Sequence, residues 1–117
     1  MNTFFHLSTC STCQKIIKEL NLSGIHLKDI KTESISTVEI EKMAELAGSY
    51  ESLFSRRAMK YKSMGLKDKN LSENDYKSLI LSEYTFLKRP VLIYKNNIAM
   101  GNSKSAIEKM KSILSNE

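Results

Sequence analysis

The stretch FFHLSTCSTCQKIIKEL, residues 4–20, decides how the rest of the chain is read. An apolar run passes through STCST into Ile16, Ile17, Leu20 and Leu22 at helical spacing, and Gly24 stops the pattern. A short buried strand over 3–7 followed directly by a helix puts Cys10 and Cys13, the only two cysteines, at the junction. Three readings of the pair are open. It can be a redox couple, half of a zinc site completed by His6 and His26, or two small residues with no chemistry. The junction favours the redox couple, because the unpaired amides and positive dipole end of a helix N-terminus stabilise a thiolate. His6 and His26 fall on expected strands rather than in a second paired knuckle, so no metal is expected. Cys10 is then the candidate nucleophile, ionising below the ~8.5 of a free thiol. Cys13, one turn further in, is the resolving thiol that would attack a mixed disulfide at Cys10.

Working outward, IHLKDI (25–30) alternates like a half-buried strand, with Ile25, Leu27 and Ile30 turned inward. Ser36 and Glu39 form a capping box ahead of a helix bearing Ile40, Met43, Leu46 and Ala47, which ends at Gly48. The segment ESLFSRRAMKYKSMG (51–65) is helical in composition, with Leu53, Phe54, Met59 and Met64 as apolar anchors. A second capping box, Ser72 with Asp75, opens a helix carrying Tyr76, Leu79, Ile80 and Tyr84. VLIY (91–94) and IAM (98–100) predict a hairpin turning at Asn96-Asn97, and Ser103 caps a last helix with Ile107, Met110 and Leu114 on one face.

The order is β-α-β, a helical block, then β-β-α. The opening unit requires parallel strands joined by a crossover helix, and the hairpin adds antiparallel ones. This predicts an α/β, thioredoxin-like fold with a mixed four-stranded sheet. The chain, 1–117, reads as a single domain with a helical insertion over about 34–85.

Pro90, the only proline, precedes VLIY. Proline suits the first residue of a strand, and only X-Pro bonds readily become cis. In thioredoxin-like folds a cis-proline at this point packs beside the redox cysteine. Arg89 would then stand near Cys10, where a guanidinium lowers a thiolate pKa and can hold an oxyanion or carboxylate in a forked contact.

With 117 residues, 41% hydrophobic and 26% charged, the chain has ordinary globular proportions. No apolar run is long enough to span a bilayer, and the N-terminus lacks the order of a signal peptide. The expected location is therefore cytoplasmic, with no membrane partner. The net charge of +5 comes with lysines along almost the whole chain, and no basic block is interleaved with aromatics, so direct nucleic-acid binding is not expected.

CSTCQKIIKEL, LFSRRAMKYKSMGL and FLKRPVLIYKNNIAMGNSKSAI, in that order and spacing, resemble the ArsC family. This family contains glutaredoxin-dependent arsenate reductases and Spx-type redox regulators that bind RNA polymerase. In the reductases one cysteine attacks arsenate, three arginines surround the oxyanion, and glutathione with glutaredoxin completes the reduction. The resemblance implies Cys10 as nucleophile and Arg89 as one of the arginines. Ser11, Thr12 and Pro90 would line the bound group. The middle arginine falls at Ser55, with Arg56 and Arg57 directly after it as candidate substrate-binding residues, and the last falls near Gly101, with Lys104 the nearest cation. These departures weaken the case for arsenate, and Cys13 makes the motif similar to the CxxC of the Spx-type regulators. The reading that results is a thiol–disulfide oxidoreductase without a resident cofactor. Its expected partners are glutathione as co-substrate, or a glutaredoxin- or thioredoxin-type reductant, with RNA polymerase as the partner in the regulatory alternative. A monomer is expected.

Overall fold

The computed structural model describes residues 1–115. Two compact units result: Met1–Glu33 with the chain from Arg89 onward, and Ser34–Lys88.

The first unit is the thioredoxin-like part. Strand β1 (Thr3–His6) leads to helix α1 (Ser11–Glu19) and strand β2 (His26–Asp29). Later come β3 (Val91–Tyr94), β4 (Asn97–Met100) and a C-terminal helix at Lys104–Ser115. The sheet order is β2-β1-β3-β4, with β1 and β2 parallel and the other pairs antiparallel. In the central strands Phe4, Phe5, Val91, Leu92 and Ile93 are all fully buried, as near-continuous apolar runs require of strands covered on both faces. Phe4, Leu92 and Ala99 share one core with Ile16 and Leu20 of α1 and with Met110 and Ile113 of the C-terminal helix.

Two sequence expectations are corrected here. Leu27 is 43% exposed because β2 is an edge strand; the flanking Ile25 and Ile30 carry the burial instead. The hairpin turns at Lys95-Asn96, one residue earlier than expected, because Asn97 already pairs with Tyr94. Both turn residues have positive φ, 49° and 63°, as the primed two-residue turn demands. Asn97 stays in the ladder and donates its side-chain amide to the Lys95 carbonyl at 3.2 Å.

The second unit contains α2 (Thr37–Ala47), α3 (Met59–Ser63) and α4 (Glu73–Ser82), linked by short 3-10 turns. The C-terminal helix is therefore α5. Both capping boxes form: Ser36 Oγ accepts from the Glu39 amide at 3.1 Å, and Ser72 Oγ from the Asp75 amide at 3.2 Å. The single helix expected over 51–65 does not form. Phe54 is extended and bridges Leu87, the Ser55 amide donates to the Phe86 carbonyl at 2.6 Å, and the Lys88 amide donates to the Leu53 carbonyl at 2.8 Å. Those bonds take the backbone groups a helix would have used. Phe54 then stacks on Phe86 at 4.9 Å and meets Tyr76 edge-on at 5.0 Å. Met59, 89% exposed, and Met64, 46% exposed, are not the anchors their spacing suggested.

Among the described residues no helix is long and apolar enough to cross a membrane.

Candidate active site

The site starts where β1 ends. The Cys10 amide donates to the Leu7 carbonyl at 3.0 Å, folding residues 7–10 into a tight turn. Cys10 is the N-cap of α1, with extended backbone, and its carbonyl accepts the first helical bond from Gln14 at 3.1 Å. Serine, threonine, asparagine or aspartate commonly fills that position and turns an oxygen onto the orphan amides. Here a cysteine occupies the position, and its side chain makes no capping hydrogen bond. The Cys13 and Thr12 amides, the Cys13 thiol and the Arg89 charge all favour the Cys10 thiolate. Burial opposes them and is the largest single influence, yet together they hold the Cys10 pKa below its ordinary value.

Cys13, 1% exposed, is the counterpart. Burial first, then the thiol–thiolate hydrogen bond and the nearby charge of Cys10, push its pKa up to about 11, while the Leu7 amide and Arg89 act in the other direction. The thiolate is therefore favoured at Cys10 and the thiol at Cys13. Both are free.

Arg89 is half-buried, and the Arg89-Pro90 peptide bond is cis. The Pro90 carbonyl accepts from the Gly101 amide at 2.9 Å, fixing the entry into β3. The structure thus brings Cys10, Cys13 and Arg89 into one electrostatic group. Ser11 and Thr12 are exposed in the first turn of α1, with the Thr12 amide turned to Cys10.

Arg56 and Arg57 belong to the second unit. The Arg56 guanidinium is already engaged, 2.9 Å from a Glu51 carboxylate oxygen and 3.2 Å from the Tyr76 hydroxyl. Arg57 is exposed. Ser55, at the middle-arginine position, is held by its backbone bond to Phe86. Gly101 has φ 96°, where any side chain is strained, so the backbone there disfavours an arginine.

Asp29 was missed at the sequence level. Its Oδ1 accepts from the Ser8 amide at 3.2 Å and the Lys31 amide at 3.1 Å, tying the turn before Cys10 to the end of β2. The Ser8 hydroxyl foremost, with the Lys31 and Ser8 amides and the nearby His6, holds its carboxyl below the usual range against slight burial. An aspartate ending a strand was the available signal. Its meaning depends on the parallel register that sets it opposite His6. His6 itself is buried, and its Nδ1 has no hydrogen-bond partner among the described residues. No group of three or more His, Cys, Asp or Glu side chains among those residues is arranged to hold a metal ion.

Solved structures of other proteins share this fold. A possible arsenate reductase from Streptococcus mutans superposes with TM-score 0.72 at 29% identity, covering 94% of this chain and 97% of that one. The arsenate reductase from Vibrio cholerae gives 0.74 at 19% identity, covering 96% of each chain. An arsenate reductase related protein from Brucella melitensis gives 0.70 at 20% identity, covering 92% of each. Curated protein sequences returned no match. The family model for ArsC matches residues 5–110, which takes in the CxxC turn, the inserted unit and the Arg89-Pro90 hairpin, and the chain belongs to the ArsC family.

Proposed function

We propose that the protein is a thiol–disulfide oxidoreductase of the arsenate reductase-like class, working in the reducing cytoplasm. The observation that carries this reading is the asymmetry of the pair: Cys10 is partly exposed at the start of α1 with its thiolate favoured, beside Cys13, which is buried with its thiol favoured.

The Cys10 thiolate attacks one sulfur of a partner disulfide. A Cys10–partner bond forms, the partner S–S bond breaks, and the other partner sulfur leaves as thiolate. Cys13 then loses its proton to solvent and attacks the Cys10 sulfur, which expels the second partner thiolate and leaves a Cys10–Cys13 disulfide. The partner gains two electrons and the protein loses two. Glutathione, or a glutaredoxin- or thioredoxin-type dithiol, restores both thiols by the reverse exchange. Arg89 favours the thiolate form, and a carboxylate of the partner would be drawn to the same charge. Ser11, Thr12 and Pro90 border the bound group.

Titration against defined glutathione buffers, followed by alkylation and mass measurement, tests the mechanism. Both thiols should disappear together without an adduct. Cys10→Ser should abolish exchange, and Cys13→Ser should accumulate a mixed disulfide at Cys10. Full activity in Cys10→Ser would overturn the assignment.

Arsenate reduction is the second reading, favoured by the arsenate reductases among the similar solved structures and by Arg89. Against it stand Ser55 and the left-handed Gly101 where cations are expected, since each charge-assisted contact to an oxyanion contributes about 1.5–3 kcal/mol. Arsenate-dependent consumption of glutathione in the presence of glutaredoxin would revive it.

A further inference from the structure

The lysines are spread along the chain, and the densest cationic stretch lies in the second unit. Between residues 56 and 69 stand Arg56, Arg57, Lys60, Lys62, Lys67 and Lys69 against Asp68 alone, a surplus equal to the whole chain's net +5. Residues 88–111 carry an equal surplus, Lys88, Arg89, Lys95, Lys104, Lys109 and Lys111 against Glu108, but over a longer stretch, and residues 33–55 are acidic. Two of the six cations at 56–69 are neutralised in place, Arg56 by Glu51 at 2.9 Å and Lys60 by Glu83 at 2.6 Å. Arg57, Lys62, Lys67 and Lys69 make no ion pair among the described residues, and all four are exposed.

This is a fixed surface. Leu66 is buried at 3% exposure, Tyr61 meets Phe54 edge-on at 5.9 Å, and Gly65 at φ 65° closes the turn after α3. Yet α3 buries none of its own residues. It presents Met59, 89% exposed, and Met64, 46% exposed, among the cations. Met59 and Lys62, three apart on the helix, are surface neighbours. Methionine is flexible and polarisable, and suits irregular apolar partners.

We propose that residues 57–69 are a docking surface for an acidic polypeptide segment carrying apolar side chains among its carboxylates. The concentrated positive field attracts carboxylates and speeds encounter. The thioethers reward an apolar neighbour that a purely polyanionic partner lacks. A polynucleotide fits less well, because single strands bind by stacking on exposed aromatics, and Tyr61 is committed to Phe54. A lipid surface fits less well, because the five residues of α3 are too few to lay down an apolar stripe. The proposal is independent of the thiol chemistry.

Fluorescence anisotropy with three labelled probes tests it: a glutamate–leucine peptide, a glutamate–serine peptide of equal charge, and a single-stranded oligonucleotide of similar charge. The leucine peptide should bind most tightly, by about tenfold over the serine peptide, and more weakly as salt rises. Lys62→Glu with Lys67→Glu should weaken both peptides by about tenfold or more. Met59→Ser should erase most of the leucine preference while leaving the salt dependence. Unchanged helical circular dichroism and urea midpoint in each variant show that the chain is still folded. Equal affinity for the two peptides, tighter binding of the oligonucleotide, or indifference to the lysine reversals would each overturn the proposal.

Discussion

At the scale of single residues, the site is an arrangement of two sulfurs with opposite tendencies. Cys10 sits below its ordinary pKa and Cys13 near 11, so iodoacetamide at pH 7 should modify Cys10 and spare Cys13. Arg89→Ala removes a charge that lowers both, so the midpoint of the alkylation–pH curve for Cys10 should rise. Cys13→Ala removes the thiol that donates to Cys10 and should raise that midpoint too, with Cys13→Ser restoring part of it. Midpoints that stay put in Arg89→Ala and Cys13→Ala would contradict the electrostatic account. Cys13 also predicts a dependence of stability on pH. Its folded pKa is raised from 9.0 to about 11, so its contribution is fully present below 9 and is lost between 9 and 11, as the unfolded thiol ionises first. Urea midpoints across that range should fall more steeply in the wild type than in Cys13→Ala.

At the scale of elements, what could be read from sequence depended on how far apart the deciding groups lie. Both capping boxes were legible because their partners are three residues apart, and Ser36→Ala or Ser72→Ala should each cost about 0.5–2 kcal/mol in thermal or urea unfolding. Each loss should be accompanied by weaker helical circular dichroism. Segment 51–65 was not legible, because the groups that pull Phe54 out of a helix sit at residues 86–88. The hairpin missed by one residue: Asn96 and Asn97 both suit a left-handed turn, and only the pairing of Tyr94 with Asn97 chooses between them. The same limit explains the site. The cysteines and Arg89-Pro90 announce themselves by residue type and local position, whereas the duty of Asp29 depends on strand register and the engagement of Arg56 on a tyrosine twenty residues away.

At the scale of the whole molecule, the sheet that carries the site rests on a core shared by α1, β1, β3, β4 and α5. Leu92, fully buried in a central strand, contributes to that core beside Phe4 and Ala99. Leu92→Ala should destabilise the protein by about 2–5 kcal/mol, read as a lower urea midpoint with unchanged slope. The site would share the loss, since α1 docks its Ile16 and Leu20 on the same core and presents Cys10 at its first turn. Cysteine reactivity measured at a fixed urea concentration should therefore rise for Cys13, whose protection is burial, before it falls for Cys10.

The reciprocal bond between the two sulfurs also sets a tempo. The negative charge of Cys10 is among the causes that keep Cys13 protonated. Once Cys10 is covalently bonded to a partner, that charge and its hydrogen bond are gone, and only burial still restrains Cys13. Under the proposed mechanism the second thiol would thus be roused by the very event it follows. A molecule that brushed the site without bonding would leave Cys13 dormant, so capture would be told from mere encounter.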